Sequence, residues 1–252
     1  MNEGWITLII LTMLVLGIIL GFVGAGGAGV IIAVLTVFFN VPIHYAIGTS
    51  LLGWVSTSLF GSISHYREKN VDVKIACLLG FTGGIGALIA SFIVKHIPQN
   101  DLNYMTAGAL FVSGLILWLK LAIKPKSNVT NVYTKKVLLV SIIIGFALGM
   151  ISGLFGIGSA AFIQLTLLLV IGLSVQISVG TTMLVMLPIS LIGGIGYIIN
   201  GNVDLLLLIK VILGTSIGSY IGAKFTNKLR PLVLKISMVS VPIIGGLILI
   251  IN

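Results

Sequence analysis

Gly17-Ile18-Ile19-Leu20-Gly21-Phe22-Val23-Gly24-Ala25-Gly26-Gly27-Ala28-Gly29 interrupts an apolar run that extends from Trp5 to Phe39. About 20 helical residues, rising 1.5 Å each, cross a 30 Å hydrocarbon core. The run holds about 35 residues, enough for one crossing plus a second, shorter helix. Each glycine inside a helix costs close to 1 kcal/mol relative to alanine, so the dense stretch Gly24–Gly29 reads as a break. A second run, Val137–Ile171, has the same length and breaks between Gly153 and Ser159. Helix, break, short helix is the expectation for both.

Working outward, the remaining apolar segments are Ile43–Tyr66, Val71–Val94, Asn103–Ile123, Val175–Ile199, Val203–Phe225 and Leu232–Ile251, one helix apiece. The chain of 252 residues is 58% hydrophobic and 8% charged, with a mean hydropathy of +1.25. A water-soluble domain carries about a quarter charged residues, so a soluble enzyme is excluded and a polytopic membrane protein remains. The +9 net charge does not indicate nucleic acid, because Lys and Arg sit singly or in small groups between apolar runs. That distribution marks cytoplasmic loops of a membrane protein. Cys77 is the only cysteine, so neither a disulfide nor a cysteine metal site can form. The first apolar stretch lacks the basic start of a cleavable signal and is expected to be retained.

The two halves repeat at an offset of 132 residues without a gap. Gly17, Gly21, Gly24 and Gly26 align with Gly149, Gly153, Gly156 and Gly158. Gly48-Thr49-Ser50 aligns with Gly180-Thr181-Thr182, and Asn70-Val71-Asp72 with Asn202-Val203-Asp204. These last matches involve residue types other than glycine, so chance coincidence in a glycine-rich chain does not explain them. The expected organisation is a transmembrane repeat at 1–123, a cytoplasmic linker at 124–136 and a second transmembrane repeat at 137–252. If each broken run makes two passes, each half has five and the second half is inverted. Arg67–Lys74, the linker and Lys224–Lys235 then share the cytoplasmic side, as basic loops should. The fold class expected is therefore all-α: a polytopic membrane helix bundle of two inverted halves, each with a glycine-broken first segment and both termini outside.

All five acidic residues, Glu3, Glu68, Asp72, Asp101 and Asp204, lie at segment ends or in loops. A cation or proton path normally keeps a carboxylate within the membrane. Intramembrane hydrolysis would need a buried carboxylate pair, a metal cluster or a nucleophile with its base. The histidines, His44, His65 and His96, fall near segment ends without ligand spacing. No catalytic residue, metal or cofactor is expected. What the interior does carry is a pair of helix starts. Each leaves up to four unpaired N–H groups and about half a positive charge, which an anion satisfies without any cationic side chain. Paired discontinuous helices are also where transporters bind their substrates.

The candidate substrate-binding residues are accordingly Gly24, Gly26, Gly27, Gly156, Gly158 and Ser159 at the breaks. Thr49, Ser50, Thr181 and Thr182 join them as hydroxyl donors, with His44 and Gln176 as additional donors just upstream. The competing reading of the glycines is close helix packing, as assigned to Gly214, Gly218, Gly222, Gly80 and Gly84. For the hydroxyls it is back-bonding to a carbonyl one turn earlier. Lys210, about 10 Å along its helix from Asp204, is close enough for its stem to snorkel outward and is read as packing. The partners expected are a small anion and the lipid bilayer, with no nucleic acid; the sequence leaves a homo-oligomer open.

Gly-x-x-x-Gly-x-x-Gly-x-Gly in each half, followed by Pro42-x-x-x-Ala46-x-Gly48-Thr49-Ser50 in the first, resembles the sulfite exporter TauE/SafE family. The resemblance runs from Gly17 to about Leu234. It implies a multi-pass, bacterial-type inner-membrane carrier that exports sulfur-containing anions such as sulfite and sulfonates. The second half departs from the family pattern, with Ser174 in place of Pro42, Ser159 in place of a glycine and Thr182 in place of Ser50. Carrier, passive anion channel and non-transporting assembly protein are the alternatives to separate.

Overall fold

The computed structural model describes residues 3–23, 28–122, 134–157, 159–226 and 231–250. These form ten α-helices and, among the described residues, no strand. The first half comprises α1 (Glu3–Val23), α2 (Ala28–Val37), α3 (Ile43–Arg67), α4 (Val73–Val94) and α5 (Gln99–Ala122). The second comprises α6 (Lys135–Phe155), α7 (Ala160–Leu169), α8 (Val175–Ile199), α9 (Leu205–Thr226) and α10 (Pro231–Ile250). Both long runs split into a full helix and a ten-residue one, α2 and α7. Gly24, Gly26, Gly27 and Gly158 lie outside the described residues.

Helix starts follow local chemistry. Asp72 accepts from the Ile75 N–H at 3.1 Å, and Asp204 accepts from Leu206 and Leu207. Ser174 caps α8 through the Ile177 N–H. α5 begins at Gln99, four residues before the expected Asn103. Its polar first turn can face water, and the carboxylate of Asp101 suits the positive end of a helix.

Among the described residues, five helices are long and apolar enough to cross a membrane: Ile43–Arg67, Val73–Val94, Val137–Phe155, Gln176–Ile199 and Leu205–Gly222. Their outer faces are apolar. Phe81, Ile85 and Ile89 of α4, and Ile209, Leu213 and Ile217 of α9, are exposed at helical spacing. The opposite face of α4 carries Ala76, Gly80, Gly83, Ala87 and Ala90, all buried. Large residues toward lipid and small ones toward neighbours is how membrane helices pack, because close backbone contact drives the association.

Two seams use this device, and they exchange when the halves are exchanged: α1 packs on α9, and α6 on α4. A Cβ on Gly17 would come within 2.8 Å of the Thr215 backbone, and one on Gly149 would overlap the backbone of Gly83. Part of the repeated glycine motif is therefore packing. Gly214 and Gly218 pack on α1, while Gly80 and Gly84 pack on α8 around Pro188, as expected.

The contacts also fix directions. Along α3, Gly48, Leu52 and Gly61 meet Tyr197, Gly194 and Met183 in turn, so α3 and its counterpart α8 run antiparallel. Gly48 and Gly53 meet Asn202 and Val211, so α3 and α9 run parallel. Gly145 and Gly153 meet Leu79 and Ala87, so α6 and α4 run parallel. One end of the bundle thus gathers the start of α3, the end of α8 and the start of α9. The other gathers Arg67, Lys69 and Lys74 with the starts of α6 and α8.

Candidate functional site

The described break lies between α6 and α7. Gly156 closes α6 in the left-handed conformation, φ +62°, and its N–H donates to the Ser152 carbonyl at 2.8 Å. Such a conformation costs an L-residue about 1–2 kcal/mol, which explains the glycine. Space explains it as well: a Cβ there would lie 2.6 Å from Ile47 Cγ2 and 2.8 Å from Ile32 Cδ1. The buried Tyr197 hydroxyl donates to the Gly153 carbonyl at 2.7 Å, satisfying an acceptor in the last turn of α6.

α7 then starts in the interior. Ser159, Ala160 and Ala161 are each 1% exposed, and Ser159 makes no side-chain cap. The Ser159 carbonyl accepts from Ile163, the first bond of the helix, so the N–H groups of residues 160–162 have no acceptor within it. Ile157 packs with Ala33, Ala107 and Leu110, while Gly29 of α2 sits directly against Leu110. Leu110 is at the middle of the 24-residue α5, about 16 Å from either end. The start of α2 and the break before α7 therefore adjoin at mid-length of a full helix.

α3 faces this break. Ile47 touches Gly156, and residues 47, 50, 51 and 54 share one helix face. On that face Ser50 Oγ and Trp54 Nε1 are buried with no hydrogen-bond partner, and so is Ser159 Oγ at the break; Thr49 Oγ1, also buried without a partner, lies on the other side of α3. A buried polar group without a partner costs about 1–3 kcal/mol. Three such groups, on the α3 face that meets the break and at the start of α7, are expensive unless an acceptor visits them. The indole is the most telling, because Trp N–H only donates, so only an acceptor can satisfy it.

The second-half hydroxyls are engaged differently. Thr181 Oγ1 accepts the Asp72 N–H at 3.0 Å, and Thr182 donates to the Ser178 carbonyl at 2.7 Å. Gly180 lies against Asn70, and Gly48 against Asn202. Each Asn-Val-Asp loop thus seats on the Gly-Thr motif of the opposite half. His44 Nε2 is 3.2 Å from both the Val94 and Ile97 carbonyls, which ties it to the end of α4. Gln176 is exposed near the start of α8. Neither side chain is brought to the break.

Three groups escaped the sequence reading. Trp54 and Ser152 carried no signal beyond residue type. Tyr197 did, since the 132-residue offset aligns it with His65 and the pair breaks the apolar pattern in both halves. Of the acidic residues whose side chains are described, Glu68, Asp72, Asp101 and Asp204, none is buried, and among the described residues no cluster could hold a metal ion.

An apolar helical shell around a polar interior at interrupted helices belongs to the class of multi-pass membrane transporters. The family model described as "Sulfite exporter TauE/SafE" matches residues 9–249, and the chain belongs to that family of membrane transporters. The chain is 49% identical over 242 residues to "Probable membrane transporter protein YdhB" of Bacillus subtilis (strain 168), covering 96% of this chain and 99% of that one. It is 28% identical over 253 residues to "Probable membrane transporter protein YjnA" of the same organism, covering 96% and 98%. No solved structure matches it.

Proposed function

We propose that the protein is a secondary carrier that exports small sulfur-containing anions, such as sulfite or organosulfonates, by alternating access. The observation that carries this reading is the set of buried donors without acceptors, Ser50, Trp54 and Ser159, on the α3 face that meets the break and at the interior start of α7. A pyramidal oxyanion offers several acceptor oxygens and a charge that suits a helix N-terminus. Gly24, Gly26, Gly27 and Gly158 complete the site in this proposal by letting backbone amides approach the ligand. Thr181 and Thr182 enter it in the opposite conformation.

The Asp72 N–H bond to Thr181, matched by an unpartnered Thr49, suggests how access alternates. In the other state the same contact would form across the two-fold, from the Asp204 N–H to Thr49, releasing Thr181. The antiparallel course of α3 and α8 supports repeats inverted in the membrane, 1–123 and 137–252, joined by a cytoplasmic linker at 124–136. The Arg67–Lys74 end would face the cytoplasm. An interior-negative potential favours anion exit by about 2.3 kcal/mol per charge per 100 mV.

Counterflow of radiolabelled sulfite in proteoliposomes of the pure protein tests the proposal. Saturable exchange is expected. Unitary currents would replace the carrier with a channel, and absence of flux with sulfite, thiosulfate and sulfonates would overturn the reading.

A further inference from the structure

Lys210 is the sixth residue of α9, on a helix whose buried face includes Leu207, Val211, Gly214 and Gly218. The sequence reading sent its side chain outward; the structure holds it inside. Lys210 is 4% exposed, and its Nζ is buried with no hydrogen-bond partner. A lysine that reaches for the interface leaves its ammonium uncovered. Here protein covers it.

We propose that Lys210 supplies the fixed positive charge of the anion path, with the transported oxyanion as its counter-ion. The inference rests on the carrier reading above. An unpaired buried charge is among the costliest features a fold can hold, and in a membrane helix it marks a functional position. Among the described side chains no carboxylate pairs with it, and Asp204 Oδ1 is taken by the N–H groups of Leu206 and Leu207. Its position fits. Gly48 meets the Asn202 carbonyl and Gly53 meets Val211, so α3 and α9 lie in parallel register. Lys210 precedes Val211 and is therefore level with Leu52–Gly53 of α3, on the side of α9 where Gly214, one turn later, meets Ile10 and Met13 of α1. Leu78 occupies the equivalent place in the first half, so the ammonium is not a repeated packing device.

The helix terminus and hydroxyls would thus select the oxyanion's shape, while Lys210 selects its charge. Neutral sulfur compounds of the same size would be refused.

The test uses the purified full-length protein in detergent, comparing wild type with Lys210→Met and Lys210→Arg. Thermal unfolding is measured with and without sulfite, together with equilibrium binding of radiolabelled sulfite. Lys210→Met should melt at or above the wild-type temperature without ligand, because it removes an uncompensated charge. It should lose the sulfite-induced rise and bind sulfite at least tenfold more weakly, a loss of about 1.4 kcal/mol. Lys210→Arg should retain most of both effects. Sulfite should also slow acetylation of Lys210 in the native chain, read by peptide mass, so the proposal stays testable if a variant does not fold.

Unchanged sulfite binding in Lys210→Met, with Ser159→Ala and Ser50→Ala both weakened, would overturn the role of Lys210 and leave the carrier reading standing. Unchanged binding in all three would overturn both. Protection of Lys210 by short-chain phosphatidylglycerol but not by sulfite would assign the ammonium to a lipid phosphate instead, also overturning it.

Discussion

Replacing Trp54 by phenylalanine keeps an aromatic ring and deletes one N–H, which isolates the donor that the interior leaves unsatisfied. In the unliganded protein two terms oppose each other. Removing a buried donor without an acceptor relieves about 1–3 kcal/mol. The smaller ring leaves a void in a site that is 3% exposed, costing about 1–2 kcal/mol. Unliganded stability should therefore change little. Binding should change much more, because a hydrogen bond to a charged group is worth about 1.5–3 kcal/mol. At 1.4 kcal/mol per tenfold, Kd for sulfite should rise by about 10- to 150-fold. Equilibrium dialysis with radiolabelled sulfite measures this directly, and melting temperatures with and without sulfite separate affinity from stability. Trp118→Phe is the control, since Trp118 is 58% exposed on the apolar exterior. A Trp54→Phe affinity within twofold of wild type, or a Trp118→Phe loss of equal size, would refute the claim that the orphaned indole faces the ligand.

Thr181→Val and Thr49→Val should shift the facing equilibrium in opposite directions. The single bond from Asp72 is worth about 0.5–1.5 kcal/mol, a population change of roughly two- to tenfold. Thiol accessibility of Ser159→Cys in a Cys77→Ser background reads the shift from either side of the membrane, and equal shifts would sink the exchange of bonds. Gly149→Ala should lower stability by about 1–3 kcal/mol, since its Cβ would overlap backbone on α4. Gly108→Ala meets nothing within 4 Å and should be neutral or mildly stabilising, so equal melting temperatures would contradict the packing assigned to the α4–α6 seam. Lys69→Cys should react with an impermeant maleimide from the cytoplasmic side only, and Gly201→Cys from the outside only; labelling of both from one side would contradict the inverted arrangement.

Much of this was legible in the chain because it depends on solvent and period. Apolar runs separated by charged punctuation have one stable home, the bilayer, and a run of about 35 residues is too long for one crossing, so its glycine-dense stretch marks the break. Hence α1/α2 and α6/α7 were readable as broken pairs, and the acidic residues as segment ends. The 132-residue offset exposed the repeat and paired Thr49 with Thr181.

Side-chain partnership was beyond reach, since it depends on which helix faces which. Gly17 and Gly149 belong to the same motif as Gly156, yet they serve the α1–α9 and α4–α6 seams while Gly156 forms the turn. Equivalent residues such as Thr49 and Thr181 are chemically alike in sequence; only packing leaves one without a partner and gives the other the Asp72 N–H. Composition and periodicity determined the medium, the helices and their duplication, because each helix responds locally to the water or lipid around it. Tertiary structure alone decided that the hydroxyls of Thr49, Ser50 and Ser159, an indole and a lysine would be sealed inside without partners, because burial is a property of several helices together.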